Sequence, residues 1–241
     1  MADMWTQLSK NRENMYRLLG RLYIKEVDAD LLNALKAMKF PQNCGEEELE
    51  EGYRLMETCL RGMVAVDGSA GDASAAASFS VAGSTRAAVD SGGAKISVLD
   101  ALAVDYARVF LSAGVAQGMA AFPYESVYTS KKRLMMQDAR GFAAAAYARA
   151  GLQPGKAMYH SPEDHIGLEL EYMARLCAGA AIKEQQEFFK NHLQNWAYAF
   201  TAEVMKYART DFYRAVSKIT RGFMTMEQHL MEAQDADLAQ Q

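Results

Sequence analysis

The stretch Ser161-Pro162-Glu163-Asp164-His165-Ile166-Gly167-Leu168-Glu169 gathers three carboxylates and one of the chain's four histidines. Carboxylates offer acceptors for charge-assisted hydrogen bonds. Glu169 stands four residues beyond His165, one helical turn on, where a carboxylate favours a protonated and oriented imidazole. Upstream, Phe122-Pro123-Tyr124-Glu125-Ser126-Val127-Tyr128 sets one carboxylate between two tyrosines four apart, on an otherwise apolar, aromatic strip. Earlier still, Asp105-Tyr106-Ala107-Arg108-Val109-Phe110 adds two aromatics and a charged pair.

Helix capping accounts for part of the first stretch. Ser161 suits an N-cap, and Pro162 suits the first helical position, where its missing N–H leaves no bond unmade. Glu163 and Asp164 then fall in the first turn, where the helix dipole favours negative charge, and Asp164 completes a variant capping box with Ser161. Ile166, Leu170, Met173 and Cys177 form the inward stripe, and Glu171 and Arg175 are spaced to pair outside it. His165 is left over, projecting beside Glu169 and Tyr172. Its plain reading is a half-buried packing histidine; for the aromatics it is core packing, and for Glu125 a solvated loop carboxylate.

The elements that must position these residues read as helices. The four prolines, Pro41, Pro123, Pro154 and Pro162, all lie between periodic segments. Trp5, Leu8, Met15, Leu18, Leu19, Leu22 and Tyr23 share one helical stripe. Leu31 to Met38, Leu49 to Val64 and Leu99 to Phe110 give three more. Residues 131–150 read as a fifth helix, stopped by Gly151, and a sixth starts at Ser161. A seventh carries Phe189 to Tyr207, Thr210 and Asp211 interrupt it, and an eighth resumes from Phe212. Nothing alternates with period two for long. The expectation is an all-α fold, one helical bundle over residues 1–241. In residues 68–94, 20 of 27 are Gly, Ala or Ser, too little apolar mass to offset ordering. This segment reads as a flexible insertion, with an alanine-rich helix around Ala73–Ala77 as the alternative.

Composition narrows the function. The 241 residues carry a net charge of −4 and a pI near 5.7, which argues against nucleic acid as a partner. Three scattered cysteines make neither a disulfide framework nor a zinc knuckle. The polar N-terminus lacks a signal core, and no apolar run approaches the roughly 18 residues of a membrane helix; a cytoplasmic protein without stable membrane insertion is expected. A di-iron bundle needs Glu-x-x-His pairs, and none occurs; His165 and Cys177, twelve apart, do not have a ligand spacing. No Walker A or GxGxxG sequence is present. No metal and no cofactor are expected.

Three blocks together resemble the TorD/DmsD/NarJ family, the maturation chaperones of molybdenum redox enzymes: DYARVF at 105–110, PYESVY at 123–128 and SPEDHIGLELEYMARL at 161–176. The run FFKNHLQNW at 188–196, DFYRAVSKI at 211–219 and RLLGRLYIKEVDADLL in the opening helix agree in order and spacing. The chain departs from the family pattern at Ser161, where glutamate is common, at Val109, often leucine, and at Tyr106 and Tyr124, places that tryptophan takes in relatives. The resemblance implies a TorD-like helical domain without catalytic activity. Such a protein binds the twin-arginine signal peptide of a molybdoenzyme's catalytic subunit and holds it back from the Tat translocon until the cofactor is loaded. It implies a peptide surface at Tyr106, Phe110, Pro123, Tyr124, Ser126, Asp164 and His165, to which Glu125 and Tyr128 of the same block are added. The chemistry agrees: carboxylates hold two guanidinium groups, an aromatic groove takes the apolar helix that follows, and arginine stacks on tyrosine. The alternative function is a general helical scaffold for respiratory-enzyme assembly without a dedicated peptide site. Either a monomer or a domain-exchanged homodimer fits, since the 68–94 segment is long enough for helix exchange.

Overall fold

The computed structural model describes residues 2–67, 96–114, 116, 119–152 and 161–238; the 68–94 segment lies outside them. Among the described residues there are ten helices and no strand: α1 Ala2–Ile24, α2 Ala29–Ala37, α3 Glu47–Asp67, α4 Val98–Phe110, α5 Glu125–Thr129, α6 Asp138–Arg149, α7 Ile166–Gly179, α8 Ile182–Asn191, α9 Leu193–Tyr207 and α10 Asp211–Leu238. The fold is all-α, as the periodicity predicts. No described helix is long and apolar enough to cross a membrane. The described residues divide between two compact units. One draws on 1–25, 122–200 and 227–241, the other on 26–121 and 201–226.

In the first unit, α1 buries Tyr16, Leu19, Leu22 and Tyr23, and α7 buries the expected stripe Ile166, Leu170, Met173 and Cys177. The two helices cross at paired glycines. A Cβ on Gly20 would lie 3.1 Å from the Gly167 carbonyl oxygen, and one on Gly167 would lie 3.0 Å from that of Gly20, so the backbones approach closely only because both positions lack a side chain. A buried polar network ties α1 to α8 and α10. Arg12 gives two 2.7 Å hydrogen bonds to the Glu227 carboxylate and a third, also 2.7 Å, to Gln185. Tyr16 donates to Glu227 at 2.8 Å, and Gln186 Nε2 donates to the Met231 carbonyl at 2.9 Å.

In the second unit, Asp28 caps α2 by accepting the Leu31 N–H, and Ser97 caps α4 by accepting that of Asp100. Lys218 and Arg221 of α10 pair with Glu51 and Glu48 of α3 at 2.6 and 2.8 Å. The Asp105 carboxylate of α4 accepts the backbone N–H groups of Arg209 and Thr210 and the Thr210 hydroxyl. These are orphan donors at the entry of α10, satisfied by a residue 105 positions upstream.

Three boundaries differ from the sequence reading. Residues 131–137 are a loop rather than the first third of a helix, because Arg133 and Met136 take φ of +50° and +63°, outside the right-handed helical region. Gly151 does end α6, with φ +69°. The expected seventh helix is two: His192, at φ −121°, ψ −92°, breaks the backbone between α8 and α9. Residues 125–129, read as loop, form the short α5.

Candidate functional site

Two of the three sequence blocks meet in the first unit. The Glu125 N–H donates to the Asp164 carbonyl, and the Ile166 N–H donates to the Pro123 carbonyl, both at 2.9 Å. This is an antiparallel bridge between Tyr124 and His165. The side chains reinforce it. Asp164 Oδ2 accepts the Ser126 N–H at 2.9 Å, so its carboxylate caps the first turn of α5. The Ser126 hydroxyl in turn accepts the Gln137 N–H. Tyr147 donates to the Glu163 carbonyl, and Arg140 pairs with the Glu163 carboxylate.

The bridge shifts the start of α7. Ser161, Pro162 and Glu163 precede the helix rather than opening it, because the chain from 164 to 166 is paired with the 123–125 backbone. The N-cap is His165, whose Nδ1 accepts the Gly167 N–H at 3.0 Å. Capping therefore explains the one residue that the sequence reading left over. Nor does Glu169 hold this imidazole in its charged form. Burial lowers the His165 pKa to about 3, and a neutral ring leaves Nδ1 a lone pair with which to cap. The ring stands edge-on to Tyr124, centroids 5.2 Å apart.

Glu125 is not a solvated loop carboxylate. It is 4 % exposed and sits 2.8 Å from His192 Nδ1. Glu169, with no exposure, accepts the Trp196 indole N–H through Oε2 at 3.0 Å, while its Oε1 meets no hydrogen-bond donor. Burial, and then the neighbouring Glu125 carboxylate, raise the Glu169 pKa well above the ordinary carboxyl value. Oxygens of Glu125 and Glu169 and a ring nitrogen of His192 all lie within 4.8 Å of one another. His192 stacks on Phe188, centroids 4.5 Å apart. Tyr128, half-buried, stacks on Trp196 at 5.4 Å and carries the Arg133 guanidinium over its ring at 5.7 Å.

Pro123, Tyr124, Glu125, Ser126, Asp164 and His165 are thus brought together, with Tyr128 one turn along α5. Within this set Tyr124 and Tyr128 keep partly exposed rings; Asp164 has no exposure and His165 has 4 %. Tyr106 and Phe110 belong to the second unit. They are buried, in contact with each other at 5.1 Å and with Tyr213 at 6.1 and 5.5 Å. The sequence reading missed Glu169 and His192 as partners of Glu125. The FFKNHLQNW run was visible, but the break at His192 that turns its ring inward has no Gly or Pro to announce it.

The family described as nitrate reductase delta subunit matches residues 81–202. Over 230 residues the chain is 25% identical to the chaperone protein TorD of Shewanella pealeana, covering 92% of this chain and 90% of that one. It is 23% identical to the TorD of Shewanella piezotolerans over 94% of both chains. To the TorD of Vibrio cholerae it is 26% identical over 142 residues, 54% of this chain and 62% of that one. The chain belongs to the TorD/DmsD/NarJ family, of which nitrate reductase delta subunits are part.

Proposed function

We propose that this member of the family is a cytoplasmic chaperone, not an enzyme. It binds the twin-arginine signal peptide of a molybdenum-dependent oxidoreductase subunit and assists cofactor insertion and folding before Tat export. The names of its relatives support the chaperone role. The observation that carries the peptide reading is the Tyr124–His165 bridge, which fixes two separated sequence blocks into one rigid aromatic and acidic element. Such preorganisation lowers the ordering cost of binding.

Within the proposed surface the roles divide by exposure. Tyr124 offers its exposed ring surface to the guanidinium groups, and half-buried Tyr128, its ring already against Trp196 and Arg133, extends the surface for the apolar segment. Pro123, Glu125, Ser126, Asp164 and His165 hold those rings in place. Tyr106 and Phe110 are buried in the core of the second unit, so their replacement is expected to cost stability.

Titration calorimetry with a synthetic twin-arginine signal peptide and its twin-lysine variant tests the reading. The parent chain is expected to prefer the arginine form, because lysine loses the planar fork and the stacking. Tyr124→Ala and Tyr128→Ala should each weaken binding by the folded chain by about 1–3 kcal/mol, the scale of an interface anchor; Tyr128→Ala, which also loses its packing on Trp196 and Phe200, should lower the melting temperature as well. Equal affinity for both peptides favours the general scaffold instead.

A further inference from the structure

The carboxyl pair at the heart of the first unit poses a charge problem. Glu169 has no exposure, Glu125 has 4 % and His192 has 7 %. Glu169 Oε1 faces no donor, yet the group it adjoins is a second carboxyl. Two carboxylates brought together out of water need a positive charge between them. A proton supplies one such charge. A divalent metal ion supplies two, and with a neutral imidazole it makes the cluster electrically neutral.

The donor set suits an ion. From the arrangement of these side chains we infer that Glu125, Glu169 and His192 bind one divalent transition-metal ion of the zinc, manganese or iron(II) class. Carboxylate and imidazole ligands are those that such ions take. Ligand atoms about 2.1 Å from a common ion lie roughly 3–4 Å from one another. The His192–Glu125 separation of 2.8 Å and the 4.8 Å limit on the whole set require only a small adjustment. The orienting contacts that metal ligands need are in place as well. Trp196 holds Glu169 through its other oxygen, and Phe188 stacks against the His192 ring. Solvent has a way in: His192 lies on the wall of a pocket of about 550 Å³, together with Arg149, Tyr172, Arg175, Glu184 and Phe188.

Three ligands from α5, α7 and the α8–α9 break would join three elements through one ion, immediately beside the Tyr124 loop. The site is structural in this account. It is independent of whether a signal peptide binds, so the two readings fail separately.

The purified full-length chain, stripped with chelator, is dialysed against Zn²⁺ or Mn²⁺, desalted and measured for metal by mass spectrometry. One equivalent per chain is expected, with a melting temperature that rises with ion concentration. Glu169→Gln and His192→Gln should each weaken retention at least tenfold, and Glu163→Gln, which changes a carboxylate outside the cluster, should leave it intact. A reading that alters no ligand guards against variants that fail to fold. In a Trp5→Phe background, Co²⁺ should quench Trp196 fluorescence at one equivalent, since the indole N–H touches a ligand. No retained ion and no quenching in the parent would mean that a proton alone sits between Glu125 and Glu169, and the site is refuted. Retention undiminished in both folded ligand variants would place the ion elsewhere and overturn the proposal equally.

Discussion

At the residue scale, His165 shows how one side chain serves two elements. Its Nδ1 caps α7, and its ring packs edge-on against Tyr124. His165→Ala is expected to lose about 0.5–2 kcal/mol, the usual cost of an absent cap. His165→Asn, whose side-chain oxygen also caps, should recover most of that. Ser161→Ala should change little, because Ser161 stands outside the helix. Thermal melts of the three variants check the order; equal melting for Ala and Asn would show that the ring's packing, not its cap, matters. Cys177 gives a second residue-level expectation. Burial pushes its thiol up to about 12, so at pH 8 it is almost wholly protonated and a poor nucleophile. Alkylation of the native chain should therefore leave Cys177 unmodified, while the denatured chain takes up label there, as peptide mapping would show.

At the element scale, helices with a long, clean apolar stripe were legible in the sequence. α1, α3 and α4 end within a few residues of where periodicity puts them, because packing one face is what fixes them. Short elements and breaks were not. α5 has too few residues for a period, and the loop before α6 depends on left-handed backbone at Arg133 and Met136, residue types that give no warning. The start of α7 was misplaced because a strong local capping signal, Ser161-Pro162, lost to a long-range bridge with residues 123–125 that no local rule contains. The same long-range logic governs the entry of α10. Asp105 accepts the Arg209 and Thr210 N–H groups and the Thr210 hydroxyl, and pairs with Arg108 at 2.8 Å. Asp105→Ala strands these donors in a buried site, and a loss of about 3–5 kcal/mol follows, the scale for removing one partner of a buried charge network. Denaturant midpoints measure it. A loss below about 1 kcal/mol would show that water replaces the carboxylate.

At the scale of the whole molecule, contacts between distant parts of the sequence decide the fold. The candidate site follows this rule: its residues were visible as blocks, but their joining was not, because Glu125, Glu169 and His192 come from three places with no common spacing. The first unit likewise closes by pairing its two chain ends. Arg12 of α1 meets Glu227 of α10 across 215 positions, with side chains 6 and 3 % exposed. Burial disfavours charge on the guanidinium, but the Glu227 hydrogen bonds and charge outweigh it and raise the Arg12 pKa above its ordinary value. Tyr16 adds a third group to the same carboxylate. Removing Glu227 alone leaves a buried cation and a buried hydroxyl without their acceptor, so Glu227→Leu should cost about 3–5 kcal/mol. Arg12→Met removes the cation instead and strands the carboxylate, with a similar loss. The double variant removes both charges and puts apolar groups of similar volume in their place, which is often neutral or better. It should melt well above either single variant, leaving only the Tyr16 hydroxyl and Gln185 to be satisfied. A double-mutant cycle by denaturant unfolding isolates the coupling. Additive single losses would mean that the two charges do not depend on each other and that apolar packing alone closes the unit.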